Sequence, residues 1–147
     1  MISDPSRRLQ LAQSLGRAPY VALTTYRKDG TPVSTPMQVV PRGEFLFFWT
    51  RADSGKVKRL NRDEVVRVAV CTVRGKTTGP SFVGIGRVLT GGAEEMTREL
   101  MLYKYGAKMK WSLRLQRVFG RKAERVAIQV TLEPELDDHD DSPALRD

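Results

Sequence analysis

The sequence predicts a mainly β (α+β) protein, an antiparallel six-stranded barrel with flanking helices. Three observations predict it. Six short runs rich in β-branched and aromatic residues are separated by Gly, Pro and Asp turn signals. Asp29-Gly30 between two of them is a strong hairpin signal, so those two pair antiparallel. The helical segments are few and do not alternate with the strands, which fits hairpins and meanders rather than a doubly wound parallel sheet.

The elements follow in order. "DPSRRLQLAQSLGR" reads as an opening helix, with Asp4 as cap, Pro5 in the first position and Gly16 at the end. "YVALTTYR" alternates apolar and polar residues as a half-buried strand does. After "KDGT", "PVSTPMQVV" is the return strand. Its Pro32 and Pro36 place it at an edge or a bulge, because proline cannot donate to a ladder. "EFLFFWT" is the third strand, followed by a short helix over Gly55–Asn61. "EVVRVAVCTV" is the fourth strand and "PSFVGIGRVLTG" a long fifth, where Gly84 and Gly86 mark a bend or the close approach of another backbone. "GAEEMTRELMLYKYG" is a helix with acids in its first turn and Gly106 past its end. "AKMKWSLRLQRVFG" reads as a second, basic amphipathic helix, and "ERVAIQVTLEP" as the last strand. Residues 1–136 form one domain in this reading, and 137–147 an acidic, disordered tail.

The chain has 147 residues, 40% hydrophobic, with a formal net charge of +8. The tail "DDHDDSPALRD" holds five acids and one arginine, so residues 1–136 carry 24 basic and 12 acidic residues. Such a body favours anionic partners: phosphate cofactors, nucleic acid or acidic membranes. Solubility alone is the bland explanation. One cysteine excludes an intrachain disulfide. No stretch approaches the ~20 apolar residues of a membrane span, and the start lacks a signal-peptide pattern. The expected compartment is the cytoplasm.

The side chains exclude much chemistry. The lone histidine, His139, sits in the acidic tail, and the lone cysteine, Cys71, lies in an apolar strand. No His/Cys cluster for zinc and no Ser-His or Cys-His pair exists in the body. Its acids fall at turns, caps and helix faces. "GPSFVGIG" lies within a strand, not between strand and helix, so a dinucleotide-binding fold fails. Any catalysis would rest on a cofactor.

"TRADSGKVKRL", residues 50–60, puts cations where a helix begins, although a helix N-terminus prefers anions. Ser54 is a good N-cap. Two readings stand side by side. Ser54 caps a solvated basic helix, or its hydroxyl, the free N–H groups behind it, Lys56 and Arg51 hold a phosphate.

The run "YVALTTYRKDGTPVSTPM", then "EFLFFWT", then "RADSGKVKRLNRDEVVRVAVC" resembles the pyridoxamine-phosphate-oxidase-like family of flavin and deazaflavin split-barrel proteins, from about Tyr20 to Val130. "CTVRGKTTGP" and "YKYG" resemble its branch of small proteins that use coenzyme F420. The resemblance implies a split-barrel homodimer with two cofactor sites at the interface. It implies that Thr50, Ser54 and Lys56 hold the phosphate, with Arg51 beside them and Gly55 giving close backbone access. Thr35, Pro36 and Met37 would line the ring; ordinary strand packing is their bland alternative. The sequence departs from the flavin-phosphate oxidases: "STPMQVV" carries no basic residue, and the C-terminal Arg/His substrate elements are missing. Both departures argue against pyridoxamine phosphate oxidation.

Three functions remain. The first is an F420(H2)-dependent reductase passing a hydride to an unsaturated small molecule, with FMN as the alternative cofactor. The second is a non-catalytic F420 carrier of the same fold. The third is a nucleic-acid or membrane-surface binder using residues 103–125, with eight basic residues against one acid. Packing of that segment on the barrel is favoured over peripheral membrane contact, and salt-sensitive binding to DNA would report charge alone, so no specific nucleic acid is expected.

Overall fold

The structure, a computed structural model, describes residues 5–106 and 124–133. The order is α1 (Pro5–Gly16), β1 (Val21–Tyr26), β2 (Pro32–Met37), β3 (Val40–Arg42), β4 (Phe45–Arg51), α2 (Gly55–Arg62), β5 (Val65–Val70), β6 (Phe82–Leu89), α3 (Gly92–Tyr105) and β7 (Arg125–Leu132). The Asp4 cap, the basic helix after Ala107 and the acidic tail of the sequence reading lie outside the described residues.

Among the described residues the sheet has seven strands, not six, in the hydrogen-bonded order β2-β1-β5-β6-β7-β4-β3. The predicted return strand is broken in two at Gln38–Val39. The cause lies far along the chain. The Val39 N–H donates to the Tyr105 hydroxyl at 3.0 Å, and its carbonyl accepts from Lys104 Nζ at 2.7 Å. Backbone groups spent on α3 cannot join a ladder, so the strand stops and restarts as β3.

All pairings are antiparallel, from Val21↔Met37 in β1–β2 to Phe45↔Thr131 in β4–β7. The end strands β2 and β3 are consecutive in sequence and joined by two residues. A link that short spans at most ~11 Å, so the sheet must curl until its two ends lie near one another. This is the split-barrel arrangement the resemblance implies, with a seventh strand.

β4 shows why the sheet has two buried faces. Leu46 and Phe48 point inward to a core with Leu23, Val66, Ile128 and Val130. Phe47 points outward, with Phe45 and Trp49, to a second cluster around Met101 of α3. Adjacent strand residues face opposite ways, so a continuous apolar run marks a strand covered on both sides. The two glycines of β6 serve close approach. A Cβ on Gly84 would lie 2.9 Å from Thr131 O, and one on Gly86 3.1 Å from Leu60 Cδ2, which seats α2 on the sheet. The β1–β2 turn forms at Asp29-Gly30 as predicted, with Gly30 at φ 89° and the Asp29 carboxylate accepting the Thr31 N–H at 3.0 Å.

Candidate functional site

β4 feeds directly into α2. Thr50 ends the inward row and is buried. Arg51, the next residue, faces outward and clasps Asp53 with two hydrogen bonds of 3.0 Å. Ser54 is the N-cap, in extended conformation. Its Oγ accepts the Val57 N–H at 3.4 Å, which uses an oxygen lone pair and leaves the hydroxyl proton free to donate elsewhere. The N–H groups of Gly55 and Lys56 precede the first helical bond, from Lys58 N–H to Ser54 C=O, and have no intrahelical acceptor. No acid occupies the first turn.

The cations of α2 divide into anchored and unanchored. Arg59 Nε donates to the buried Thr25 Oγ1 at 2.6 Å, and Arg62 donates to Tyr26 O at 2.9 Å. Both staple α2 to the end of β1. Lys56 is half-buried; burial pulls its ammonium below the usual lysine range, and the Arg59 charge adds to the effect. Burial likewise lowers Arg59, helped by Arg27 and Arg62. A Cβ on Gly55 would lie 2.8 Å from Arg59 Nη1, so this guanidinium curls back over the helix start. Among the described residues none of Lys56, Arg59 and Arg62 pairs with an acid.

Thr35, Pro36 and Met37 lie on β2, at one end of the sheet order, while Thr50 and Arg51 lie on β4 near the other. Met37 packs on the inner core. Thr35 stands opposite Leu23, and its Oγ1 is buried without a hydrogen-bond partner among the described residues. Pro36 faces the other way, with its Cδ 3.6 Å from the place of a Cβ on Gly75. The eight residues singled out from the sequence thus fall into two sets. One is built at the β4–α2 junction, where Arg51 turns away from Thr50, and one on β2.

Arg59 and Thr25 were missed. The signal for Arg59 is its spacing: three residues after Lys56, it shares that residue's helix face. Nothing in the local sequence marks Thr25, whose role depends on α2 lying over β1.

Burial pushes the Cys71 thiol up, so it is a poor nucleophile. Among the described residues no group of three His, Cys, Asp or Glu can hold a metal, and no helix is long and apolar enough to cross a membrane. The junction can bind an anion: N–H donors, a hydroxyl and two cations meet where the helix dipole is positive.

The family model for pyridoxamine 5'-phosphate oxidase matches residues 9–134. No curated protein matches the sequence. Among solved structures, a conserved hypothetical protein from Mycobacterium tuberculosis aligns with a TM-score of 0.64 at 20% identity, covering 90% of this chain and 82% of that one. An F420 reductase aligns at 0.57 and 22% identity, covering 82% and 92%. The heme storage protein HutZ from Vibrio cholerae aligns at 0.60 and 11% identity, covering 89% and 92%. At these identities the likeness is one of fold.

Proposed function

This chain belongs to the pyridoxamine 5'-phosphate oxidase family, and we propose that it is a cytoplasmic F420(H2)-dependent oxidoreductase of unsaturated small molecules, working as a homodimer. The observation that carries the reading is Lys56: a half-buried cation with no acid partner among the described residues, set beside the free N–H groups of a helix start. An isolated charge in that position costs free energy unless an anion joins it.

The chain's residues fit a phosphorylated flavin-type cofactor. Ser54, Gly55 and Lys56 supply hydroxyl and backbone donors to its phosphate, and Lys56 and Arg59 supply charge. Gly55 keeps the helix start open, since a side chain there would collide with Arg59. Thr35 Oγ1, buried and unpartnered, offers a hydrogen bond to the ring, and Met37 an apolar surface. When bound, the deazaflavin supplies hydride transfer. The protein's part is binding, orientation and exclusion of water. A second copy would bring its own β2 set beside the first copy's α2 junction, which is the role of the homodimer in this reading. β2 carries no basic residue, which argues against pyridoxamine phosphate as substrate.

The test is titration of the purified protein with F420 and separately with FMN, read by ligand fluorescence. Micromolar F420 binding with FMN weak is the expected result, and Lys56→Ala should weaken it by about tenfold or more. Preference for FMN moves the protein to the flavin branch, and binding of neither removes the reading. Turnover of enones or quinones with F420H2 separates an enzyme from a carrier.

A further inference from the structure

Arg51 and Arg125 are direct cross-strand partners in the β4–β7 ladder. Residues directly opposite have Cβ atoms about 5 Å apart, and like charges there destabilise a sheet. At Arg125 the Glu94 carboxylate offsets part of that repulsion. The Arg125 guanidinium lies over the Trp49 ring, 4.5 Å from the centroid, and among the described residues its N–H groups have no acceptor. Burial lowers its proton affinity and the Arg51 charge lowers it further, while Glu94 acts the other way. Glu94 Oε2 also accepts the Trp49 indole N–H at 2.6 Å, which holds the indole as a platform beside Arg125. Across the ladder, Arg51 meets a carboxylate in two-pronged fashion, that of Asp53. Asp53 is exposed, its side chain 67% accessible, so this ion pair is weak and open to exchange.

We infer that Arg51 and Arg125, beside Trp49, form a second anion seat that takes a carboxylate or phosphate group of a ligand, with Asp53 as the tethered carboxylate that the ligand displaces. A cation resting on an aromatic ring accounts for Arg125 alone. It does not account for a second arginine in direct opposition, where any neutral residue would remove the repulsion. An oxyanion between the two guanidinium groups gives the Arg125 N–H groups the acceptor they lack among the described residues, and gives Arg51 an acceptor in place of the exposed Asp53. The seat extends the β4–α2 site and rests on the proposed function only for the identity of the full ligand.

Two signals in the ¹⁵N-labelled full-length protein separate the two sites during titration with inorganic phosphate and, separately, glutarate. The Trp49 indole N–H, identified by its loss in Trp49→Phe, reports the arginine seat. The Gly55 amide reports the helix start. The indole is expected to shift with at least one anion; phosphate alone assigns the seat to a phosphate group, glutarate alone to a carboxylate. Arg125→Gln should weaken the indole-reported affinity by about tenfold and leave the Gly55 response in place. Arg125→Lys, which keeps the charge and loses the fork, should fall between. Asp53→Asn removes the competitor and should tighten indole-reported binding by about threefold; it decides the matter even if the Arg125 variants fold poorly. An indole that neither anion moves, or an affinity unchanged in both Arg125→Gln and Asp53→Asn, overturns the seat. A silent Gly55 amide beside a responding indole removes the α2 phosphate reading and leaves the arginine seat standing.

Discussion

Lys104 and Lys56 are both partly buried lysines whose proton affinity burial lowers, and they differ in what meets the ammonium. Lys104 Nζ donates three hydrogen bonds of 2.7 Å, to Gly16 O, Ala18 O and Val39 O. It uses all three donors to close the end of α1, the turn into β1 and the β2–β3 break. Beside it the Tyr105 hydroxyl takes the Val39 N–H and donates to Pro19 O at 2.8 Å. Among the described residues Lys56 has no such partners. The difference separates architecture from the recognition proposed above: the Lys104 donors are used within the chain and hold the fold, and Lys56 in that proposal meets a ligand's anion.

That distinction can be broken by experiment. The largest effect belongs to Lys104→Met, which takes the ammonium from three carbonyls and leaves Val39 O only the Tyr105 hydroxyl at 3.2 Å; it should cost about 3 kcal/mol in denaturant unfolding, and a cost near zero would return Lys104 to a surface role. Tyr105→Phe leaves the Val39 N–H unpaired and should cost about 1–2 kcal/mol, with faster amide exchange at Val39 as the local readout. A pH dependence belongs to the same lysine. Lys104 is lowered from 10.5 to about 8 in the fold, so between those values the unfolded chain binds more protons. Stability from this group should therefore rise with pH through that window, and the rise should be missing in Lys104→Met. The smallest stability effect belongs to Lys56→Ala, within about 0.5 kcal/mol of the parent, although its effect on anion binding is the greater of the two lysines. A large loss of stability in Lys56→Ala would erase the comparison.

What could be read from the chain follows sequence distance. The first helix, the Asp29-Gly30 turn and the α3 helix are set by neighbours a few residues apart, and their signals are local. The Ser54–Gly55–Lys56 turn is local too, and the structure places it at a helix start as expected. The broken return strand was not readable, because its cause is a tyrosine 66 residues away. Arg51 looked like one more cation of the α2 group. Its facing away from Thr50 follows from strand alternation, but its opposition to Arg125 needs the β4–β7 register. Arg59 could be read only as charge; its grip on Thr25 exists because α2 lies over β1. Thr35 was chosen by resemblance, and its unpartnered hydroxyl is a property of the folded interior.

The sequence by itself determined the mainly β class, the order of the described elements apart from the split return strand, the cationic helix start and the lack of catalytic histidine and cysteine pairs, because composition, periodicity and capping act over a few residues. Tertiary structure alone decided the seventh strand, the division of the candidate residues into two sets, and which lysine is spent on the fold. Those outcomes depend on which backbone groups and charges meet across the sheet, and burial makes every such meeting costly to leave unsatisfied.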